Sequence, residues 1–225
     1  MSINRRKVLG GAGLAGAAAA AGVGVDHLVA GHHTDSDVSL ADDAARFGDP
    51  RLPAETITSH SHLFHLGASP VSSFDGGHFQ QADEESFPIL KGQAASIVSL
   101  TLQPGGIREP HWHPSAWEIN IVTKGVASWS LVDGNGNHEH FDQQVGDVVF
   151  APQGSFHYFE NRGSDDMKIV IVQNTSAPEA KDNIGLGESI SKLPPRVLSA
   201  LFGVPEKTFE SFKKFDKAIL ILKRQ

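Results

Sequence analysis

The chain has 225 residues, with 19 Lys or Arg against 26 Asp or Glu and a formal charge of −7. That length suits one domain with appendages, and the acidic balance is opposite to the footprint of a nucleic-acid binder. Hydrophobic residues make up 40% of the chain, enough for a packed core. The absence of cysteine excludes disulfides, thiolate metal sites, iron–sulfur clusters and cysteine nucleophiles, so any metal must be held by the 12 histidines and by carboxylates.

Arg5 and Arg6 precede an uncharged, Gly- and Ala-dominated stretch from Val8 to Val25. Residues 1–30 resemble a twin-arginine export signal, which implies a periplasmic or extracellular protein. Gly and Ala supply little transfer free energy, and the run is barely long enough to cross a bilayer. No stable membrane span is therefore expected after processing. Ala19-Ala20-Ala21 offers one cleavage point, and Ala30 another. Residues 31–53 are polar, rich in Asp and without period, as in a tether, and His27, His32 and His33 read as solvated residues in or near it.

Residues 54–187 read as the β body. Apolar runs at 96–102, 117–122, 126–132, 147–150 and 168–172 predict strands, separated by turn signals such as Asp133-Gly134-Asn135-Gly136 and Pro152-Gln153-Gly154. Many short strands at close spacing predict an all-β sandwich or barrel. Residues 188–225 read as a helical extension. Helices are expected over 189–202, with Pro194 and Pro195 interrupting the first part, and over 205–215, followed by an edge strand over 218–222. The apolar positions Leu193, Val197, Leu201, Phe202, Phe209, Phe212 and Phe215 recur at helical spacing. They imply packing on the barrel or on a neighbouring subunit, and a homo-oligomer is expected.

The chemistry concentrates between Gly105 and Asn161. His111 and His113 are two apart, so on a strand they share a face. Glu118 can return on the adjacent segment beyond Pro114, and His157 follows the Pro152–Gly154 turn at the start of another strand. Three imidazoles and one carboxylate would leave two positions open on an octahedral ion. This donor set suits Mn(II), Fe(II), Co(II), Ni(II) or Zn(II). His138 and His140 flank the Asp133–Asn137 turn without a carboxylate at a comparable distance, and read as an exposed strand pair. His60, His62 and His65 receive no role.

The sequence carries Gly105, His111, His113, Glu118 and Gly125 in the order Gly-x5-His-x-His-x4-Glu-x6-Gly. Gly146, Pro152, Gly154, His157 and Asn161 follow as Gly-x5-Pro-x-Gly-x2-His-x3-Asn. These ten positions resemble both signature motifs of the cupins, which implies a jelly-roll β-barrel. The run from Pro104 to Pro114, the pairs Trp117-Glu118 and Gly146-Asp147, and the tail around Leu193–Leu198 are similar to the oxalate decarboxylase and oxalate oxidase branch. The likeness covers roughly residues 74–215. It implies a Mn(II) centre, oxalate as a small dicarboxylate substrate, and conversion to formate and carbon dioxide. Oxalate oxidation to hydrogen peroxide, or a non-catalytic germin-like binding protein, are the alternatives. Arg108 is implied to grip the substrate carboxylate, and its planar fork fits that task. A proton-carrying lid glutamate is implied on the loop 174–183, with Glu179 as candidate, Asp182 as reserve, and an exposed loop acid as the bland alternative.

Overall fold

The computed structural model describes residues 62–225. The expected export signal, the tether, the start of the β body and the histidines at 27, 32, 33 and 60 lie outside the described residues.

The described chain forms β1 (Ser72–Phe74), β2 (Gly77–Ala82), β3 (Ser96–Leu102), β4 (Gly106–Trp112), β5 (Glu118–Lys124) and β6 (Ala127–Val132). It continues with β7 (His138–Gln143), β8 (Val148–Ala151), β9 (Phe156–Glu160), β10 (Met167–Gln173) and β11 (Ile184–Gly185). The end of the chain forms α1 (Leu186–Lys192), α2 (Pro195–Phe202), α3 (Glu206–Glu210) and β12 (Ile221–Lys223). Two antiparallel sheets result. One runs β1-β2-β3-β10-β5-β8, the other β11-β4-β9-β6-β7, with β12 also paired to β4. This is the expected all-β jelly roll, with helices confined to the C-terminal stretch.

The strands form where apolar residues alternate. In β10, Met167, Ile169 and Ile171 are buried while the residues between them are only partly covered. They pack with Phe79, Val98, Leu100, Leu102, Val122, Trp129, Phe159 and Ile221 into one core between the sheets. Truncating any one of these to Ala removes about 2–5 kcal/mol, from lost transfer energy plus the cavity left behind. Trp129 adds a directional tie, donating its indole N–H to Gln143 at 2.8 Å. Strand β2, which the sequence reading passed over, is polar in sequence because Gln80 is buried but satisfied. Its amide donates to the carbonyls of Gly67 and Ser69.

The tail departs from expectation in its boundaries. The first helix breaks at Leu193–Pro194, as the prolines predict, but begins at Leu186 because the buried Glu109 carboxylate accepts the Gly187 N–H. The second part, α2, starts with Pro195 at its first turn and ends on Gly203 at φ +68°. The helix expected over 205–215 stops at Glu210. The Phe215 N–H is taken by the Ser191 hydroxyl instead of a helical carbonyl. Phe209 is buried between Phe202 and Phe212, whereas Leu201 and Phe202 remain 70% and 55% exposed. No helix among the described residues is long and apolar enough to cross a membrane.

Candidate metal centre

Three strands, β4, β5 and β9, bring the ligand set together. His111 lies on β4 directly opposite His157 on β9, and His113 follows just beyond the end of β4. Glu118 opens β5 in the other sheet, beside Gln173 of β10. The turn before β9 needs Gly154 at φ +76°, and its N–H donates to the His113 carbonyl, tying the two histidine segments together. The metal-ligating atoms of His111, His113, Glu118 and His157 lie within 4.8 Å of one another, and all four residues are buried.

Each imidazole is oriented by a backbone carbonyl. The Nδ1 atoms contact Glu109 O at 2.7 Å, Asp182 O at 2.5 Å and Ser155 O at 2.9 Å for His111, His113 and His157 respectively. A carbonyl only accepts, so each Nδ1 carries the proton and each Nε2 is left with its lone pair facing the group. The Nε2 atoms of His113 and His157 are buried without a hydrogen bond of good angle, although Glu118 oxygens stand 2.9 and 3.2 Å away. Donors that converge without pairing are what a cation between them would satisfy. The donor set fits a divalent metal ion. Glu118 is held in turn by the side-chain amides of Gln173, at 3.0 Å, and Asn120, at 3.2 Å.

The electrostatics follow from this packing. Burial alone would raise Glu118, but the rings of His113 and His157 hold its carboxyl well below the usual range. Burial, with the Arg108 guanidinium and the neighbouring rings, pushes His111 well below an ordinary imidazole. Burial also depresses His113, yet the Glu118 carboxylate outweighs it and the net shift is upward.

Arg108 and His111 are three residues apart and in a regular strand would face opposite ways. A register shift between them, against β9, turns both inward. Arg108 is 1% exposed, and its Nη2 donates to Glu179 Oε1 at 2.7 Å and to Asn183 Oδ1 at 2.5 Å. Its Nη1 is buried with no hydrogen-bond partner. Glu179 therefore is not an exposed loop acid: it opens a single 3₁₀ turn, Glu179–Lys181, with its side chain 3% exposed and paired to Arg108. Asp182 is arranged differently. Its carbonyl orients His113, and its carboxylate accepts the Ser115 N–H at 3.1 Å.

Sequence reasoning missed several supporting residues. Glu109 lies inside the run Pro104–Pro114 and Asn183 inside the loop 174–183, but neither was given a role. Glu109 holds His111 through its carbonyl and the start of α1 through its carboxylate, which burial shifts upward. Asn120 could have been found, because it lies two residues beyond Glu118 and so on the same strand face. His138 and His140 lie away from this group, exposed on β7 as expected.

The family model described as Cupin matches residues 65–210. A probable oxalate decarboxylase of Arthroderma benhamiae is 32% identical over 71% of this chain and 39% of its own length. The oxalate decarboxylase of Bacillus subtilis is 34% identical over 60% of this chain and 34% of its own. The chain thus spans well under half the length of these relatives. A germin-like protein of Oryza sativa is 27% identical, with 79% and 80% covered. The solved structure of the Bacillus subtilis oxalate decarboxylase at pH 4.6 superposes with a TM-score of 0.64 at 22% identity, over 72% of this chain and 41% of that one, a likeness of fold. With the two sheets, the buried three-histidine, one-glutamate group and the family match over most of its length, the chain belongs to the cupin family.

Proposed function

We propose that this cupin is a metal-dependent oxalate decarboxylase, with Mn(II) as its ion, held by His111, His113, Glu118 and His157. The observation that carries the reading is the buried Arg108–Glu179 pair beside the ligand group. It joins a substrate anchor and a titratable carboxyl within one hydrogen bond. A divalent ion bound there would supply Lewis acidity and, as manganese, access to a second oxidation state.

The chain's own residues have separable tasks. Arg108 offers Nη1, buried without a hydrogen bond and 4.0 Å from Glu109 Oε1, to one carboxylate of oxalate, while Nη2 stays on Asn183 and the lid. Glu179 accepts the proton of hydrogen oxalate and later returns it to carbon. The carbon–carbon bond breaks with its electron pair remaining on the fragment that becomes formate, and that carbon takes the proton. The other fragment leaves as carbon dioxide, so the conversion is redox-neutral overall. Burial of Arg108 and Glu179 keeps water from the reacting carbon, so the loop 174–183 must open to admit substrate. That loop is tied at both ends, by Trp117 N–H to Asn174 Oδ1 at 2.7 Å and by Ser115 N–H to Asp182 Oδ1.

Oxalate oxidation is the second reading, favoured by the germin-like relatives that match this chain along most of their length. There oxalic acid and dioxygen give two carbon dioxide molecules and hydrogen peroxide, and no carbon needs a proton. Product analysis on metal-loaded protein separates the two. Formate with one carbon dioxide supports the proposal; peroxide without formate would replace it with the oxidase. The Arg5-Arg6 segment supports export by the twin-arginine route, and exposed Val148, Phe150, Leu201 and Phe202 support self-association.

A further inference from the structure

Outside the barrel centre, a second pair of imidazoles stands in ligating proximity. His138 and His140 lie two apart on β7, both exposed, with their Nε2 atoms 2.8 Å apart and their rings edge-on at 4.5 Å between centroids. We propose that this pair is a second metal site, a surface chelate that takes Cu(II) or Ni(II) in preference to Mn(II).

Three observations carry it. The first is distance. Two nitrogens bound at 2.0–2.1 Å and at a right angle on one ion stand about 2.9 Å apart, whereas a tetrahedral ion would hold them about 3.4 Å apart. The separation found is that of a hydrogen bond from one ring's N–H to the other ring's nitrogen, and it is short enough for a single ion to replace that proton and bridge both nitrogens; Cu(II) and Ni(II) stand high in the general order of affinity for such donors.

The second is preorganisation. Strand β7 pairs with β6 in unbroken register, placing His138 opposite Val132 and His140 opposite Ser130. Just ahead, the Asp133 carboxylate locks the turn by accepting from Asn135 N, Asn137 N and Asn137 Nδ2, at 2.8, 2.9 and 2.9 Å. The backbone that presents the pair is therefore fixed, and the ion need not order a loop.

The third is surroundings. Asp133 and Asp142 on this hairpin favour a cation, against Arg162, which lines the same surface pocket as His140. Asp142 itself is tied to the Ser128 hydroxyl at 2.6 Å and does not join the pair. The site therefore offers two protein ligands, and water completes the coordination. It is separate from the barrel centre. His157 points inward from β9, while the pair points outward from β7, with β6 between the two strands.

The test uses the full chain as purified, with its barrel metal in place. Cu(II) is titrated in by calorimetry, the copper is examined by electron paramagnetic resonance, and the barrel metal is followed by elemental analysis. The expected result is a two-nitrogen copper signature and one equivalent more copper on the wild type than on the His138→Ala/His140→Ala double variant. His138→Ala or His140→Ala leaves one imidazole, and loss of the chelate should weaken binding roughly 10²-fold. Both side chains are exposed, so the variants should keep their barrel metal and melting temperature. Histidines 27, 32 and 33 are present in every protein compared and cancel. The proposal is overturned if wild type takes up no copper or if the double variant binds it as tightly. It is equally overturned if copper uptake is matched by release of the barrel's own ion.

Discussion

The substitution Glu179→Gln keeps the shape of the side chain and one acceptor oxygen while removing its charge and its proton. In the folded protein Glu179 Oε1 stands 2.7 Å from Arg108 Nη2, and both residues are almost fully buried. At an effective dielectric of about 20, the gross attraction is roughly 4–6 kcal/mol, most of it offset by the desolvation of both groups. Breaking such a pair on one side costs about 3–5 kcal/mol, because the remaining charge is stranded. The amide oxygen of the glutamine would still accept from Arg108, and Asn183 remains in place, so about 3 kcal/mol is the reasonable expectation. For a domain of this size that lowers the melting temperature by roughly 6–12 °C.

Catalysis should suffer independently. If Glu179 carries the proton that ends on formate, kcat should fall on the order of 10²–10⁴-fold. KM should not rise, because the four ligands and Arg108, whose Nη1 takes the substrate, are untouched. Formate is measured per equivalent of bound metal, so partial unfolding does not masquerade as a chemical defect. Unchanged formate output would refute the proton role. A collapse on Asp182→Asn instead would move the role to Asp182, although that variant should also disturb the Ser115 contact that holds the loop.

The ligand set makes a blunter expectation. His111→Ala, His113→Ala and His157→Ala should each lose most of the bound metal and melt at lower temperature than the loaded wild type, since metal binds the folded state preferentially. Full occupancy in two of the three by elemental analysis would dismiss the site. Arg108→Lys keeps a charge but cannot serve Asn183, Glu179 and substrate with one planar fork. Oxalate turnover should drop about 10²-fold or more with metal content near normal; full turnover would put the anchor elsewhere. In the metal-free protein the His113 imidazole is shifted up beside Glu118. A raised folded-state value means its stabilisation is fully present below about 6.5 and is lost as pH rises through the folded value. Metal displaces that proton, so the gap in melting temperature between loaded and metal-free protein should widen from pH 6 to 8. A gap that stays flat or narrows would contradict the pairing.

The all-β fold and the identity of the four clustered side chains were legible in the chain before any contact was known, although β1, β2 and β11 were not. Each depends on a short-range pattern. Alternation along β3 and β10 reports a half-buried strand whatever it packs against, and the spacing of His111, His113, Glu118 and His157 is carried by one turn and three strands. The interrupted helix at Pro194-Pro195 is local in the same sense, because a ring on nitrogen ends a helix in any context.

Long-range pairing governed the remainder. That Arg108 faces the same interior as His111 depends on a slip in register against β9, which no spacing rule reveals. Whether Glu179 was a solvated loop acid or a buried partner of Arg108 depended on a contact between residues 71 positions apart. Asn183 enters the site by the same route, at a separation of 75. The early start of α1 was set by Glu109, a side chain distant in sequence that took up a backbone donor the helix would otherwise have left bare, and Ser191 likewise takes the Phe215 N–H beyond the end of α3. A local pattern fixes which face a residue wants to bury. Only the closed barrel fixes which polar group it meets there.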